Sequence, residues 1–196
     1  MSLRAPLRGV IFDLDGTVVE NAYDWAGIRE QLGTGATSIL AFLDSLDEPE
    51  RSEKWTILET HEAEQTRASV LRRGVRELLG LLRARGVAAA LVTNNSRKNT
   101  DFLLQKFRLD FDCVITRESG LWKPSGAPFL EALKTLGLEP DACGVIGDTH
   151  FDVLAALDAG IGSIFLLSDD PDRFAGFPVE VCPDVDDLLE RLEPLL

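Results

Sequence analysis

GVIGDTHFDVLAALDAGIGSIFL, residues 144–166, decides the fold. Gly144 to Gly147 is a short apolar run, Phe151 to Ala159 carries a helical pattern that stops at Gly160, and Gly162 to Leu166 is apolar again. Neither apolar run alternates with polar residues, so each reads as a strand covered on both faces. Two such strands joined by an amphipathic helix form a strand–helix–strand unit of a parallel sheet.

The same alternation extends outward from this unit. Upstream, Gly74 to Arg85 is a helix with Val75, Leu78, Leu79 and Leu82 on one face and Gly86 as its stop. Val87 to Val92 reads as a strand, Lys98 to Phe107 as a helix, Asp112 to Ile115 as a strand, and Pro128 to Leu136 as a helix closed by Gly137. Downstream, strand Val179 to Cys182 and helix Val185 to Leu192 finish the chain, and near its start Arg8 to Phe12 is a further buried-strand candidate. From Asn21 to Val70 the pattern is all helical, as Tyr23 to Leu32, Thr37 to Leu46 and one long charged helix from Pro49 to Val70. The expected architecture is therefore α/β: a doubly wound parallel sheet built from residues 1–19 and 72–196, with residues 20–71 inserted as a small helical cap at the sheet's edge.

Length and charge narrow the function. At roughly 100 to 200 residues per domain, 196 residues allow one full domain with an insertion. With 33 acidic against 20 basic side chains and a formal net charge of −13, the chain lacks the basic face needed to bind nucleic acid or an anionic membrane, which leaves small molecules and metal ions as partners. No run of about 18 apolar residues occurs, and Met1 to Pro6 lacks the apolar stretch of a signal peptide, so a cytoplasmic protein is expected. Cys113, Cys143 and Cys182 lie far apart within or beside apolar runs and read as small buried hydrophobes in a reducing compartment. No sequence feature sets an oligomeric state.

Open α/β sheets bind ligands at the carboxyl ends of their strands. Those positions hold Asp13 and Asp15 after the first strand, Thr93 and Asn94 after the second, and Asp148 with Asp152 after Gly147; Lys123 stands before Pro124 in the loop after Asp112 to Ile115. Asp13 and Asp15 are two apart in an extended segment and so face the same way, with Gly16 releasing the chain into a turn. One can act as nucleophile and the other, in a different environment, as acid and then base; alone, however, an Asp-x-Asp-Gly serves equally well as a turn that caps backbone groups. Asp148 and Asp152, four apart at a helix start, offer hard oxygens suited to Mg²⁺, although either also suits a helix N-cap. Lys123, one of five lysines, can hold a phosphoryl oxygen as a fixed point charge.

Asp13-Leu14-Asp15-Gly16-Thr17, Thr93 after an apolar strand, Lys123-Pro124 and Gly147-Asp148-Thr149-His150-Phe151-Asp152 resemble, in order and spacing, the four motifs of the haloacid dehalogenase superfamily. The match runs from about Arg8 to Leu167, and the helical insertion between the first two motifs resembles that of the phosphoglycolate phosphatase-like group. The resemblance implies a Rossmann-like core and a Mg²⁺-dependent phosphatase acting on a small phosphomonoester. It implies Asp13 as the nucleophile that becomes an aspartyl-phosphate, Asp15 as acid then base, Thr93 and Asn94 as phosphoryl ligands, and Lys123 as the group that steadies the phosphoryl and Asp13. Mg²⁺ is then expected on Asp13, the Asp15 carbonyl and Asp148, with Asp152 orienting its water shell. Glu20, with Asn21, Tyr23, Trp25 and Arg29, is closest in sequence to the nucleophile and is a candidate substrate contact, Tyr23 and Trp25 also suiting cap packing. His150 reads as a loop histidine, and His61 and Trp55 as a surface and a core residue.

Sugar-phosphate mutase and inorganic pyrophosphatase activities share this chemistry, and a non-catalytic binding protein of the same fold is the alternative from another class. Charge sets a condition on all of them. Four carboxylates against one ammonium leave the crevice at about −3, hostile to a phosphate dianion, and a bound Mg²⁺ brings it to about −1.

Overall fold

The computed structural model describes residues 6–35 and 38–196. The chain begins with β1 (Gly9–Phe12) and a two-residue β2 (Val19–Glu20), then forms α1 (Trp25–Leu32), α2 (Ile39–Asp44) and α3 (Glu50–Ala68). It returns through a two-residue β3 (Val70–Leu71) and alternates α4 (Val75–Arg85), β4 (Ala88–Val92), α5 (Arg97–Phe107), β5 (Cys113–Ile115), α6 (Ala127–Leu136), β6 (Cys143–Gly147), α7 (His150–Asp158), β7 (Ser163–Leu167), β8 (Glu180–Cys182) and α8 (Val185–Leu192).

Six strands form one parallel sheet in the order β5-β4-β1-β6-β7-β8. Pleating divides each strand between two cores. Val10 and Phe12 of β1 join Ala89, Leu91, Ile146 and Phe165 beneath α4, α5 and α8, whereas Ile11 joins Ala90, Val92, Val145, Ile164 and Leu166 beneath α6 and α7. This two-sided burial is why the strands read as unbroken apolar runs. The first strand lies at the centre, with β4 on one side and β6 on the other, so its carboxyl end is the point where the strand order reverses. That crevice is where a doubly wound sheet can receive a ligand.

Helices α1 to α3 form a separate apolar cluster of Ile28, Leu32, Ile39, Leu40, Leu43 and Leu58, with Tyr23, Trp55 and Trp122 packed against it. Trp122 belongs to the loop before Lys123, so this small core is completed by a side chain from outside the insertion. The long third helix ends at Ala68, and the expectation of unbroken helix through Val70 is corrected by an antiparallel ribbon that pairs Val19 with Leu71 and Glu20 with Val70. Two-residue strands leave no local pattern, and their pairing lies between distant positions. Helix α1 begins at Trp25 instead of Tyr23 because Asp24 caps it, accepting from the Gly27 amide at 3.0 Å. The expected helix start at Thr37, and residues 1–5 of the Met1 to Pro6 terminus, lie outside the described residues; the helix is seen from Ile39, with Ser38 as its cap. The three cysteines are free and buried. Among the described residues no helix is long and apolar enough to cross a membrane.

Candidate active site

Asp13 follows β1 directly, its amide donating to the Ile146 carbonyl at 2.9 Å, so the sheet itself fixes the start of the loop. The chain then turns tightly: the amides of Val18 and Val19 both donate to the Leu14 carbonyl, and Gly16 takes a φ of 83°. From the far side of the insertion, the Arg72 guanidinium donates to the carbonyls of Thr17 at 3.1 Å and Gly16 at 2.6 Å, pinning the loop. Gly16 is required twice over, since a Cβ there would strike the Asp148 carboxylate and lie 2.6 Å from its Cγ. Gly16→Ala should therefore cost roughly 1–2 kcal/mol in backbone strain alone. Thermal unfolding should show a fall of about 2–8 °C. An unchanged melting temperature would contradict this account of the turn.

Lys123 is buried, and its Nζ lies 2.6 Å from Asp13 Oδ1 and 2.6 Å from Asp152 Oδ1. Asp152, on the first turn of α7, uses its other oxygen to accept from the Thr149 hydroxyl at 2.7 Å and the Thr149 amide at 3.0 Å. It caps its own helix and anchors the lysine at once. Asp148 is held from below by the Thr17 hydroxyl at 3.3 Å. Carboxylate oxygens of Asp13, Asp148 and Asp152 lie within 4.8 Å of one another.

These charges are not balanced. Burial raises the Asp13 carboxyl well above its ordinary range, with Asp152 and Asp148 adding to the shift and Lys123 opposing it. Burial, then Asp152, push Asp148 up to about 7. Burial works against the Lys123 ammonium, but the adjoining Asp13 and Asp152 outweigh it and hold the group above its usual value. An ammonium shared by two carboxylates, beside a third to which Lys123 and Arg173 lend only longer-range charge, is a site short of positive charge. The donors are all hard oxygens, which suit Mg²⁺, so the residues present fit that ion.

Asp15 sits in a different environment. Its oxygens accept from the side-chain amides of Asn21 at 2.6 Å and Asn95 at 2.8 Å, and burial raises its carboxyl. Thr93 is buried beside Asp13 on the cavity floor, its hydroxyl accepting from the Asn95 amide at 3.0 Å. Asn94 also lines the cavity, and its side chain is held by the Lys123 backbone: it donates to that residue's carbonyl at 2.9 Å and accepts from its amide at 2.9 Å. Glu20 is corrected. In the ribbon Val19 points inward and Glu20 outward, where it meets Arg72 at 3.4 Å, away from the cavity lining. Sequence reasoning passed over Asn95 and Arg72, whose partners are distant in the chain.

A cavity of about 550 Å³ opens above these groups. Its floor includes Asp13, Asp15, Thr93, Lys123 and Asp148, and its roof is the insertion, with Tyr23, Trp25, Leu40, Leu58 and Glu62. Tyr23 and Trp25 stack at 4.4 Å and both line the cavity, while Tyr23 also packs on the cap core and Trp25 is 45% exposed. His150 is the first residue of α7 and no loop residue; its Nε2 lies 2.9 Å from the Arg173 carbonyl and its ring is 4.9 Å from that of Phe174.

A parallel sheet with carboxylates and a lysine gathered at its switch point defines an α/β enzyme. The chain belongs to the haloacid dehalogenase-like hydrolases, whose family model matches residues 7–160. It is 30% identical to a phosphoglycolate phosphatase of Chromobacterium violaceum over 187 residues, covering 81% of this chain and 84% of that one. Its fold is similar to that of a predicted phosphoglycolate phosphatase from Haemophilus somnus, with a TM-score of 0.72 at 24% identity over 94% of this chain and 97% of that one. A hydrolase from Pseudomonas syringae gives a TM-score of 0.77 at 22% identity, over 96% and 99% of the two chains.

Proposed function

We propose that the protein is a Mg²⁺-dependent phosphatase that hydrolyses a small-molecule phosphomonoester through an aspartyl-phosphate on Asp13. The observation that carries this reading is the unlike setting of two carboxylates at one strand end: Asp13 rests on an ammonium, and Asp15 rests on two neutral amides. Family membership and the likeness to phosphoglycolate phosphatases support it.

In this mechanism an Asp13 carboxylate oxygen attacks phosphorus as the bond to the leaving alcohol breaks. Asp15, whose carboxyl is raised by burial, serves as the acid that passes a proton to the departing oxygen. Asp15 then takes a proton from the water that attacks the acyl phosphate, which releases orthophosphate and restores the Asp13 carboxylate. Thr93 and Lys123 border the phosphoryl group, Lys123 holding Asp13 in place and offsetting charge. Asp13, the Asp15 carbonyl and Asp148 would hold Mg²⁺, with Asp152 behind them anchoring Lys123. When bound, the ion supplies positive charge to the phosphoryl oxygens.

A panel of phosphomonoesters, a hexose 1-phosphate and pyrophosphate, assayed with Mg²⁺ for orthophosphate, tests the reading. Hydrolysis of at least one monoester faster than pyrophosphate, with no hexose phosphate isomer formed, is expected; no orthophosphate from any ester sinks it. Asp15→Asn should lower turnover of alkyl phosphates by about 10²-fold or more. With p-nitrophenyl phosphate, whose leaving group needs no proton, the same variant should instead show a burst of nitrophenol followed by slow turnover, visible by stopped flow.

A further inference from the structure

Beside the cavity Arg117 ties the core to the insertion through ion pairs with Glu62 and, at 4.0 Å, with Glu59. Arg117, in the turn after β5, donates through one nitrogen to both Glu62 oxygens, at 2.6 and 2.8 Å, and both side chains are buried. Its guanidinium also lies 4.9 Å from the ring of Trp55, on the same cap helix. The Arg117 amide donates to the Asn95 carbonyl at 3.3 Å, and Asn95 is the residue whose side chain holds Asp15. A continuous chain of bonds thus runs from the cap helix α3 through Arg117 and Asn95 to Asp15.

Glu62 itself lines the cavity with Tyr23, whose phenol is pushed up by burial and then by the Asp15 and Glu62 carboxylates. An acid in the roof of a cavity built for a dianion needs a counter-charge. Burial pushes the Glu62 carboxyl up to about 7 even against Arg117, a measure of how poorly that wall would tolerate an unpaired carboxylate.

We propose that Glu62 and Arg117 are positioning residues for the reaction: their pair fixes the cap wall over Asp15 and offsets the Glu62 charge there, so that a phosphate dianion can enter beneath it. The proposal rests on the phosphatase reading for its substrate, but orthophosphate binding reports on it without turnover.

The two single substitutions should act oppositely on affinity and alike on turnover. By titration calorimetry with Mg²⁺ present, Arg117→Met should weaken orthophosphate binding by about tenfold or more at a pH high enough to ionise Glu62, and by less at lower pH, where Glu62 is protonated and adds no charge to the wall. Glu62→Gln leaves the guanidinium and should bind orthophosphate at least as tightly as the unaltered protein. The double variant should recover to within about threefold of it. All three should lower kcat by about fivefold or more, since the cap is no longer held. A pair that only stabilises the fold would lower the melting temperature and leave affinity unmoved, which overturns the proposal, as does weaker binding by Glu62→Gln. The Glu62→Gln result keeps the test intact if Arg117→Met fails to fold. An unaltered protein that binds orthophosphate but hydrolyses no ester overturns the phosphatase reading and leaves this one standing.

Discussion

Asp13→Asn should abolish turnover, by on the order of 10³-fold or more, and leave the melting temperature of the metal-free protein unchanged or higher. The first half follows from chemistry: an amide oxygen in the same place is a poor nucleophile, and no other carboxylate shares Lys123 in the same way at that strand end. The second half follows from burial. Asp13 has its pKa raised in the folded protein, so the folded state holds its proton more tightly than the unfolded chain does. Stability from such a group is present at low pH and is lost as pH rises through the folded pKa, which means the ionised carboxylate burdens the fold at neutral pH. Asparagine removes the charge and keeps an oxygen for Lys123. Orthophosphate release and thermal unfolding in chelator check the two halves separately, and an Asp13→Asn protein that turns over at the unaltered rate refutes the assignment.

The residues that make this prediction were legible because they sit where local pattern is strongest. Asp13, Asp15, Thr93 and Asp148 each follow an apolar run, and an apolar run between turn residues is a strand end in any reading. What escaped were choices that only long-range pairing makes. Nothing local tells which of two consecutive amides, Asn94 or Asn95, will turn to Asp15 and which to the Lys123 backbone. Arg72 earns its place by reaching carbonyls 55 and 56 positions away. The cap helix hides its inner face most completely, because Leu58, Glu62 and Thr66 form the buried stripe and two of the three are polar. An apolar-periodicity reading of α3 finds only a charged helix, and so misses the carboxylate that looks into the cavity.

The acidity of the chain bears on the site through the same buried groups. A net charge of −13 spread over an exposed surface is screened within about 10 Å at ordinary salt. Asp13, Asp148 and Asp152 are not so relieved, since they lie within 4.8 Å of one another with Lys123 as the ammonium between two of them. What repels a phosphate is therefore local, and so is the remedy.

Removing Mg²⁺ should accordingly abolish orthophosphate binding as well as turnover, and adding it should stabilise the fold more at pH 8 than at pH 5.5. Asp148 is pushed up to about 7 by burial and then by Asp152. An unfolded aspartate titrates near about 4, so between that value and the folded one the folded state holds the extra proton. Stability of the metal-free protein must then fall as pH rises across this window. Mg²⁺ binds the deprotonated carboxylates, so its stabilisation grows across the same window, where the fold is otherwise losing ground. At a hundred times its dissociation constant the ion contributes about 2.7 kcal/mol. For a chain of this size that is a rise of about 5–11 °C. Thermal unfolding with Mg²⁺ or chelator at the two pH values, paired with orthophosphate titration in each, reads both effects. Orthophosphate that binds equally well in chelator, or a Mg²⁺ shift no larger at pH 8 than at pH 5.5, would show that Asp13 and Asp148 do not share a cation.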